Sequence, residues 1–188
     1  MQKIVLVDVD YVTADLHTEW YRRYNKDYDD NLTAERVTDW YLHNFVKPEC
    51  GLKIYDYLTD PSLYDNVNIV DGAKNNIDLI KYWGVRVVFL TSGINAGKYH
   101  FLHRHGLVKD EGDFVVAHDK SLVIGNFLVD DYFKNILSFY KTNPYGYGIL
   151  FNAPHNRSDD YPLRVDTWDE VSGIIRGKLI NELGATTL

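Results

Sequence analysis

A chain of 188 residues, 45% of them hydrophobic, is long enough to bury one sizeable core, which excludes a disordered segment and a small disulfide scaffold. With 20 basic and 27 acidic residues the net charge is −7, which argues against a broad grip on duplex nucleic acid, where basic groups must displace counterions. A lone cysteine, Cys50, excludes an internal disulfide and a cysteine-built zinc site. Apolar runs such as VRVVFL are too short to span a bilayer, and the opening MQKIVLVDVD meets an acid too early for a signal peptide. The expectation is a cytoplasmic protein with neither membrane nor duplex nucleic acid among its partners; a homodimer is one assembly open to it.

In chain order, KIVLVDVD reads as a strand buried on both faces, as in a parallel sheet. From Thr13 to about Tyr64 the pattern is helical. Leu16, Trp20, Tyr21 and Tyr24 share one face, and Val37, Trp40, Tyr41, Asn44 and Phe45 repeat that spacing after the break at DDNLT. KIYDYL and PSLY predict two short helical pieces, with Pro61 suited to a first turn. The stretch is therefore expected to be a helical insertion after the first strand. Beyond Asp71-Gly72, Ala73, Ile77, Ile80 and Trp83 predict a helix stopped by Gly84. VRVVFLTSG predicts a strand, INAGKYHFLHRHG a helix, DFVVAH and LVIGNFLVDD strands, YFKNILSFY a helix and YGILF a fifth strand. Thr167 and Glu170 form a capping box for a last helix through Val171, Ile174, Ile175 and Leu179. Such alternation predicts right-handed βαβ units and an α/β three-layer sandwich around a parallel sheet.

Ligands of an open parallel sheet bind beyond the carboxyl ends of its strands. The first strand ends in Asp8-Val9-Asp10, the second in Thr91-Ser92-Gly93, and the fourth in Asp130-Asp131; Lys120 lies in the loop after the third. Four carboxylates at one edge repel one another unless a cation neutralises them. An all-oxygen donor set points to Mg²⁺, and magnesium in turn favours a small phosphate ester as substrate. Asp8 and Asp10, two apart, can divide the work between nucleophile and proton shuttle. Lys120 would balance phosphoryl charge and Thr91 would hydrogen-bond it.

In that arrangement DVDYV resembles the first motif of the haloacid dehalogenase superfamily of phosphohydrolases, LTSG its second, Lys120 its third and LVDD its fourth. The DKS run, its spacing to LVDD and the tail FNAPHNRSDDYPLRVDTWDEV are similar to the 5′(3′)-deoxyribonucleotidase branch. The resemblance implies a Rossmann-like core, here residues 1–12 and 66–188, with a small helical cap over 13–65. It implies Asp8 as the nucleophile that becomes an aspartyl-phosphate, and Asp10 as general acid and then general base. Thr91, Ser92, Gly93 and Lys120 would hold the phosphate. Mg²⁺ would sit on Asp8, the Asp10 carbonyl and one of Asp130 or Asp131, with family usage favouring Asp131. The implied substrate is a deoxynucleoside monophosphate. The position after Asp10, often glycine in that branch, is Tyr11 here.

The chain carries 15 tyrosines, 4 tryptophans and 8 phenylalanines, and their density between Tyr11 and Tyr64 suits either core packing or a stacking surface for a base. Trp40 and Tyr41, adjacent on the expected helix, are the candidates for base contact. SGINAGKY approaches a phosphate-binding P-loop but lacks its leading glycine and the hydroxyl after lysine. His100, His103 and His105 read as a solvated helix end rather than a zinc site. Two other readings remain: a catalytically silent nucleotide-binding module, and a phosphatase for another small ester or for a polynucleotide 3′-phosphate.

Overall fold

The computed structural model describes residues 2–185. Its sheet contains β1 (Ile4–Val7), β2 (Arg86–Thr91), β3 (Phe114–Val116), β4 (Phe127–Asp130), β5 (Tyr147–Phe151) and β6 (Arg164–Val165). The strands lie in the order β3-β2-β1-β4-β5-β6, every neighbouring pair parallel. The chain runs outward from β1 to β3, then returns to β4 on the other side of β1. That reversal leaves a crevice at the carboxyl end of β1, the place where such sheets bind ligands. Val7 pairs with Phe89 on one side and Val129 on the other, so Asp8 emerges level with Asp130.

Alternation along the strands builds the layers. Val5, Val7, Phe89, Phe127, Val129 and Ile149 face a large core. It is completed by α2 (Ala73–Tyr82), α3 (Ala96–Arg104) and α5 (Trp168–Ala185) through Ile77, Ile80, Phe101, Trp168 and Ile175. Leu6, Val88, Leu90, Leu128 and Leu150 face the opposite side, where the short α4 (Phe133–Phe139) covers them with Ile136 and Phe139. The capping box forms as expected: Glu170 Oε2 accepts from Thr167 N at 2.9 Å, and Thr167 Oγ1 accepts from Glu170 N at 3.3 Å. No helix among the described residues is long and apolar enough to cross a membrane.

The segment between β1 and α2 departs from its expected pattern. Helix α1 (Leu16–Tyr28) forms and buries Leu16, Trp20, Tyr21 and Tyr24, but no α-helix follows over 37–45. Single 3-10 turns occur at Ala34–Arg36 and Leu42–Asn44, and Trp40 and Tyr41 lie in the irregular stretch between them. Here Asp39 Oδ1 accepts from Tyr41 N at 2.9 Å, a local side-chain bond that competes with helix propagation. The next pieces are 3-10 rather than α: Gly51–Thr59 and Pro61–Asn66, the latter opened by Asp60 accepting from Ser62 N. Strand β6, two residues long, had no pattern to announce it. Apolar side chains of the inserted segment (Leu32, Val37, Leu42, Ile54, Leu63) join the same continuous core as the sheet face.

The insert is sewn to α3 at Gly97. A Cβ there would lie 2.3 Å from Pro61 O and 2.9 Å from Tyr64 Cδ2, so only glycine allows this approach. Asn95 Nδ2 donates to Leu58 O at 2.6 Å while its Oδ1 caps Gly97 N. Gly97→Ala should therefore lower unfolding free energy by about 1–3 kcal/mol, the usual cost of overpacking. Urea unfolding followed by tryptophan fluorescence measures it; an unchanged midpoint would mean that this turn can move off α3 without cost.

Candidate active site

Three carboxylates meet beyond β1 and β4. Oxygens of Asp8, Asp130 and Asp131 lie within 4.8 Å of one another, and all three residues are buried. Lys120, only 1% exposed, sends Nζ between Asp8 Oδ1 and Asp130 Oδ2, 2.7 Å from each. The two acids of the pair face different fates. Asp130 is saturated, because its Oδ1 also accepts from Tyr132 N at 2.9 Å and from Asn135 Nδ2 at 3.1 Å. Asp131 keeps an orphan: its buried Oδ2 has no aligned hydrogen bond among the described residues, although His155 Nε2 stands 3.1 Å away. Its backbone carbonyl is held by Asn156 Nδ2 at 2.7 Å.

Burial is the largest influence on the Asp8 carboxyl and pushes it up to about 7, with Lys120 pulling down and Asp130 and Asp10 adding to the rise. Burial likewise raises Asp130 and Asp131 above the ordinary carboxylate range. Three hard oxygen donors, one orphaned and all destabilised as bare anions, fit a divalent ion such as Mg²⁺.

Across the crevice stands a second cluster. Asp10 Oδ2 pairs with Lys98 Nζ at 2.7 Å, and Asp10 Oδ1 accepts from Tyr64 OH at 2.6 Å. Lys98 also donates to Thr91 Oγ1 at 2.8 Å. Both clusters open into one cavity of about 210 Å³, whose polar floor includes Asp8, Asp10, Thr91, Ser92, Lys98 and Asp131. Its outer wall comes from the insert, chiefly Trp20, Tyr21, Leu42 and Tyr55.

Of the residues expected from sequence, Asp8, Asp10, Thr91, Ser92, Gly93 and Asp131 border this cavity. Lys120 and Asp130 stand behind it, among the buried side chains. Trp40 borders it, but in a loop rather than on a helix, with its ring stacked 3.8 Å from Tyr132 and edge-on to His155. Tyr41, half exposed, lines a neighbouring cleft with Tyr132 and Lys134 instead. Tyr11 holds a left-handed backbone, φ +64°, at the position where glycine is usual. Its ring stacks on His17, and its hydroxyl meets that of Tyr21 at 3.0 Å. His100 and His103 are exposed, as a solvated helix end should be, but His105 is half-buried, its ring 4.7 Å from that of Phe101 and its buried Nε2 without a hydrogen-bond partner among the described residues.

Sequence reasoning missed Lys98, Tyr64 and His155. Lys98 had two signals: it is the lysine of SGINAGKY, and it lies three residues before Phe101 and four before Leu102, on the buried face of α3, where an unpaired lysine would not be tolerated. Tyr64 and His155 carried no local mark of their partners.

A family model described as 5′ nucleotidase, deoxy (pyrimidine), cytosolic type C protein matches residues 2–180. A 5′(3′)-deoxyribonucleotidase of Clostridium acetobutylicum is 30% identical over 170 residues, covering 89% of this chain and 92% of that protein. Another from Bacillus subtilis is 29% identical over 178 residues, covering 91% and 97%. Among solved structures, a Bacillus subtilis protein of haloacid dehalogenase hydrolase type, solved with magnesium bound, superposes with a TM-score of 0.63 at 14% identity, covering 93% of this chain and 99% of that one. This last likeness concerns the fold, a Rossmann-like α/β sandwich of haloacid dehalogenase type.

The acid trio generates a stability test. In metal-free protein the folded state keeps protons on these carboxyls that an unfolded chain, with carboxylates near 3.8, has already released. The Asp8 contribution is therefore full below that value and is lost as pH rises toward about 7, and those of Asp130 and Asp131 are likewise lost above the ordinary carboxylate range. Added Mg²⁺ should raise the thermal midpoint more at about pH 8 than at about pH 5, because it competes with protons for the same oxygens. Differential scanning calorimetry reads this directly; an Mg²⁺ shift independent of pH would remove the trio as the binding site.

Proposed function

The chain belongs to the family of cytosolic type C 5′-nucleotidases, deoxy (pyrimidine), and is a phosphoric monoester hydrolase; we propose that it dephosphorylates deoxynucleoside monophosphates in the cytoplasm through an aspartyl-phosphate on Asp8. The observation that carries this reading is a single cavity bordered by Asp8, Asp10 and Asp131 as well as Lys98, with an apolar aromatic wall opposite them. Acids alone would repel a phosphate; Lys98 and a divalent ion supply the attraction.

In this mechanism Lys120 holds Asp8 by Oδ1 and fixes its approach. Thr91, the Ser92 and Gly93 backbone and Lys98 hold the phosphoryl oxygens, Lys98 taking the part expected of Lys120, which stands behind the cavity with its ammonium between Asp8 and Asp130. An Asp8 carboxylate oxygen bonds to phosphorus while the ester P–O bond breaks, and Asp10, which takes up a proton on Oδ2 once Lys98 turns to the phosphoryl oxygens, gives that proton to the departing sugar oxygen. Asp10 then takes a proton from water, whose oxygen attacks phosphorus, breaking the acyl–phosphate bond to release inorganic phosphate and restore Asp8. Mg²⁺ would be held by Asp8, the Asp10 carbonyl and Asp131, where it neutralises the acid cluster and the phosphoryl charge. Asp131 suits this part better than Asp130, whose oxygens are committed to Lys120, Tyr132 and Asn135. Residues 13–65 act as the cap over the core formed by 1–12 and 66–188, and Trp40 contributes to the wall that meets the base.

A magnesium-supplemented screen of deoxynucleoside and ribonucleoside monophosphates, with released phosphate as readout, tests the substrate. Chelator should abolish turnover, and Asp8→Asn should lower it by at least about 10³-fold, since an amide oxygen is a poor nucleophile. Turnover by Asp8→Asn at the parent rate would remove Asp8 from the mechanism.

The two aromatic candidates should separate. Trp40→Ala should raise KM for a deoxynucleoside monophosphate roughly 5- to 100-fold, the range expected for one lost stacking contact, while Tyr41→Ala changes it less than about twofold. Equal effects in both variants would place the base outside the Trp40 wall.

A further inference from the structure

Both carboxylate oxygens of Asp10 are claimed before any substrate arrives: Oδ2 by Lys98 Nζ at 2.7 Å, Oδ1 by Tyr64 OH at 2.6 Å. Lys98 borders the cavity and can exchange Asp10 for a phosphoryl oxygen. Tyr64 is 1% exposed and lies outside the cavity lining, so it meets no substrate. Among the described residues its hydroxyl hydrogen-bonds Asp10 alone.

The position of that hydroxyl is built in from two sides. The Tyr64 ring packs on Phe101 of α3, with centroids 6.4 Å apart, and its carbonyl accepts from Arg104 Nη2 at 3.0 Å. Gly97 lets the Pro61–Asn66 turn lie against α3, one residue from Lys98. The same contact therefore delivers both donors, one from the insert and one from the core.

We infer that Tyr64 is a positioning residue, fixing the plane of the Asp10 carboxylate so that its proton meets the leaving oxygen. Once Lys98 turns to the phosphoryl group, Oδ2 is free to carry the proton and Tyr64, on Oδ1, is the contact that still holds the group against turning about χ2; proton transfer needs an aligned approach. The inserted segment thereby completes the acid–base residue of the core, in addition to walling the cavity. This inference rests on Asp10 acting as the general acid.

Leaving-group dependence tests it. The parameter kcat/KM reports the steps through cleavage of the ester bond, and p-nitrophenyl phosphate expels a stable phenolate that needs little help from an acid, unlike a sugar alkoxide. Tyr64→Phe keeps the buried ring and removes one oxygen. It should lower kcat/KM for a deoxynucleoside monophosphate roughly 10- to 100-fold, as expected for loss of a hydrogen bond to a charged group, and that for p-nitrophenyl phosphate less than about threefold. Arg104→Ala loosens the same turn without touching the hydroxyl and should affect the two esters by equal factors. Equal losses in Tyr64→Phe, or no loss, would overturn the inference. Asp10→Asn separates this failure from that of the mechanism: a split there with none in Tyr64→Phe leaves Asp10 the acid and removes Tyr64 alone, whereas no split in Asp10→Asn removes the assignment of Asp10 and with it this inference.

Discussion

The Lys120 ammonium, buried between Asp8 and Asp130, is the interaction on which the site depends. A carboxylate and an ammonium lose several kcal/mol each on leaving water, and only close, well-aligned pairing restores the balance. Here one cation serves two acids at 2.7 Å each, so the cluster as a whole still carries excess negative charge. Burial, with the neighbouring acids adding to it, pushes the Asp8 carboxyl up to about 7, and Asp131 keeps a buried oxygen without an aligned hydrogen bond among the described residues. A protein built for stability alone would replace this group with apolar residues. The retained imbalance is what a divalent ion would relieve, and its remaining positive charge would attract the phosphoryl group.

The sheet order makes the cluster unavoidable. Because β1 lies between β2 and β4 with all strands parallel, Asp8, Thr91 and Asp130 leave the sheet at the same edge. The insert then adds what the sheet edge lacks. It brings an apolar wall and, through the contact at Gly97, the Tyr64 hydroxyl as a second donor to Asp10 beside Lys98 of α3. Its aromatic residues divide accordingly: Tyr24 and Tyr64 are buried, whereas Trp40 stacks across to Tyr132 of the core. The high tyrosine content thus serves packing and the site at once, with hydroxyls paired to one another or to acids.

Where the sequence pattern misled, local polar chemistry had outweighed periodicity. The apolar spacing from Val37 to Phe45 is helical on paper, yet Asp39 turns back onto Tyr41 N and the stretch stays irregular. The pieces at Gly51–Thr59 and Pro61–Asn66 are helical in sense but wound as 3-10, fitting short segments that have to lie close on neighbours. His155 was isolated in sequence, and only the turn after β5 carries it to Asp131.

By itself the sequence determined the parallel sheet and its strand-end acids, because β-branched runs buried on both faces have few other homes and each ends at a fixed residue. Its motifs also brought Asp8, Asp10, Thr91, Lys120 and the Asp130-Asp131 pair into one expected group, with family resemblance rather than spacing favouring Asp131. Only the tertiary structure decided that Lys98 and Tyr64 share Asp10, that Asp130 is saturated while Asp131 is not, and that Trp40 rather than Tyr41 reaches the cavity. The reason is geometric. Tyr64 and Asp10 are 54 residues apart, and their 2.6 Å contact depends on how closely a 3-10 turn approaches a helix at one glycine. No local propensity records such an approach, since it is set by the packing of whole elements.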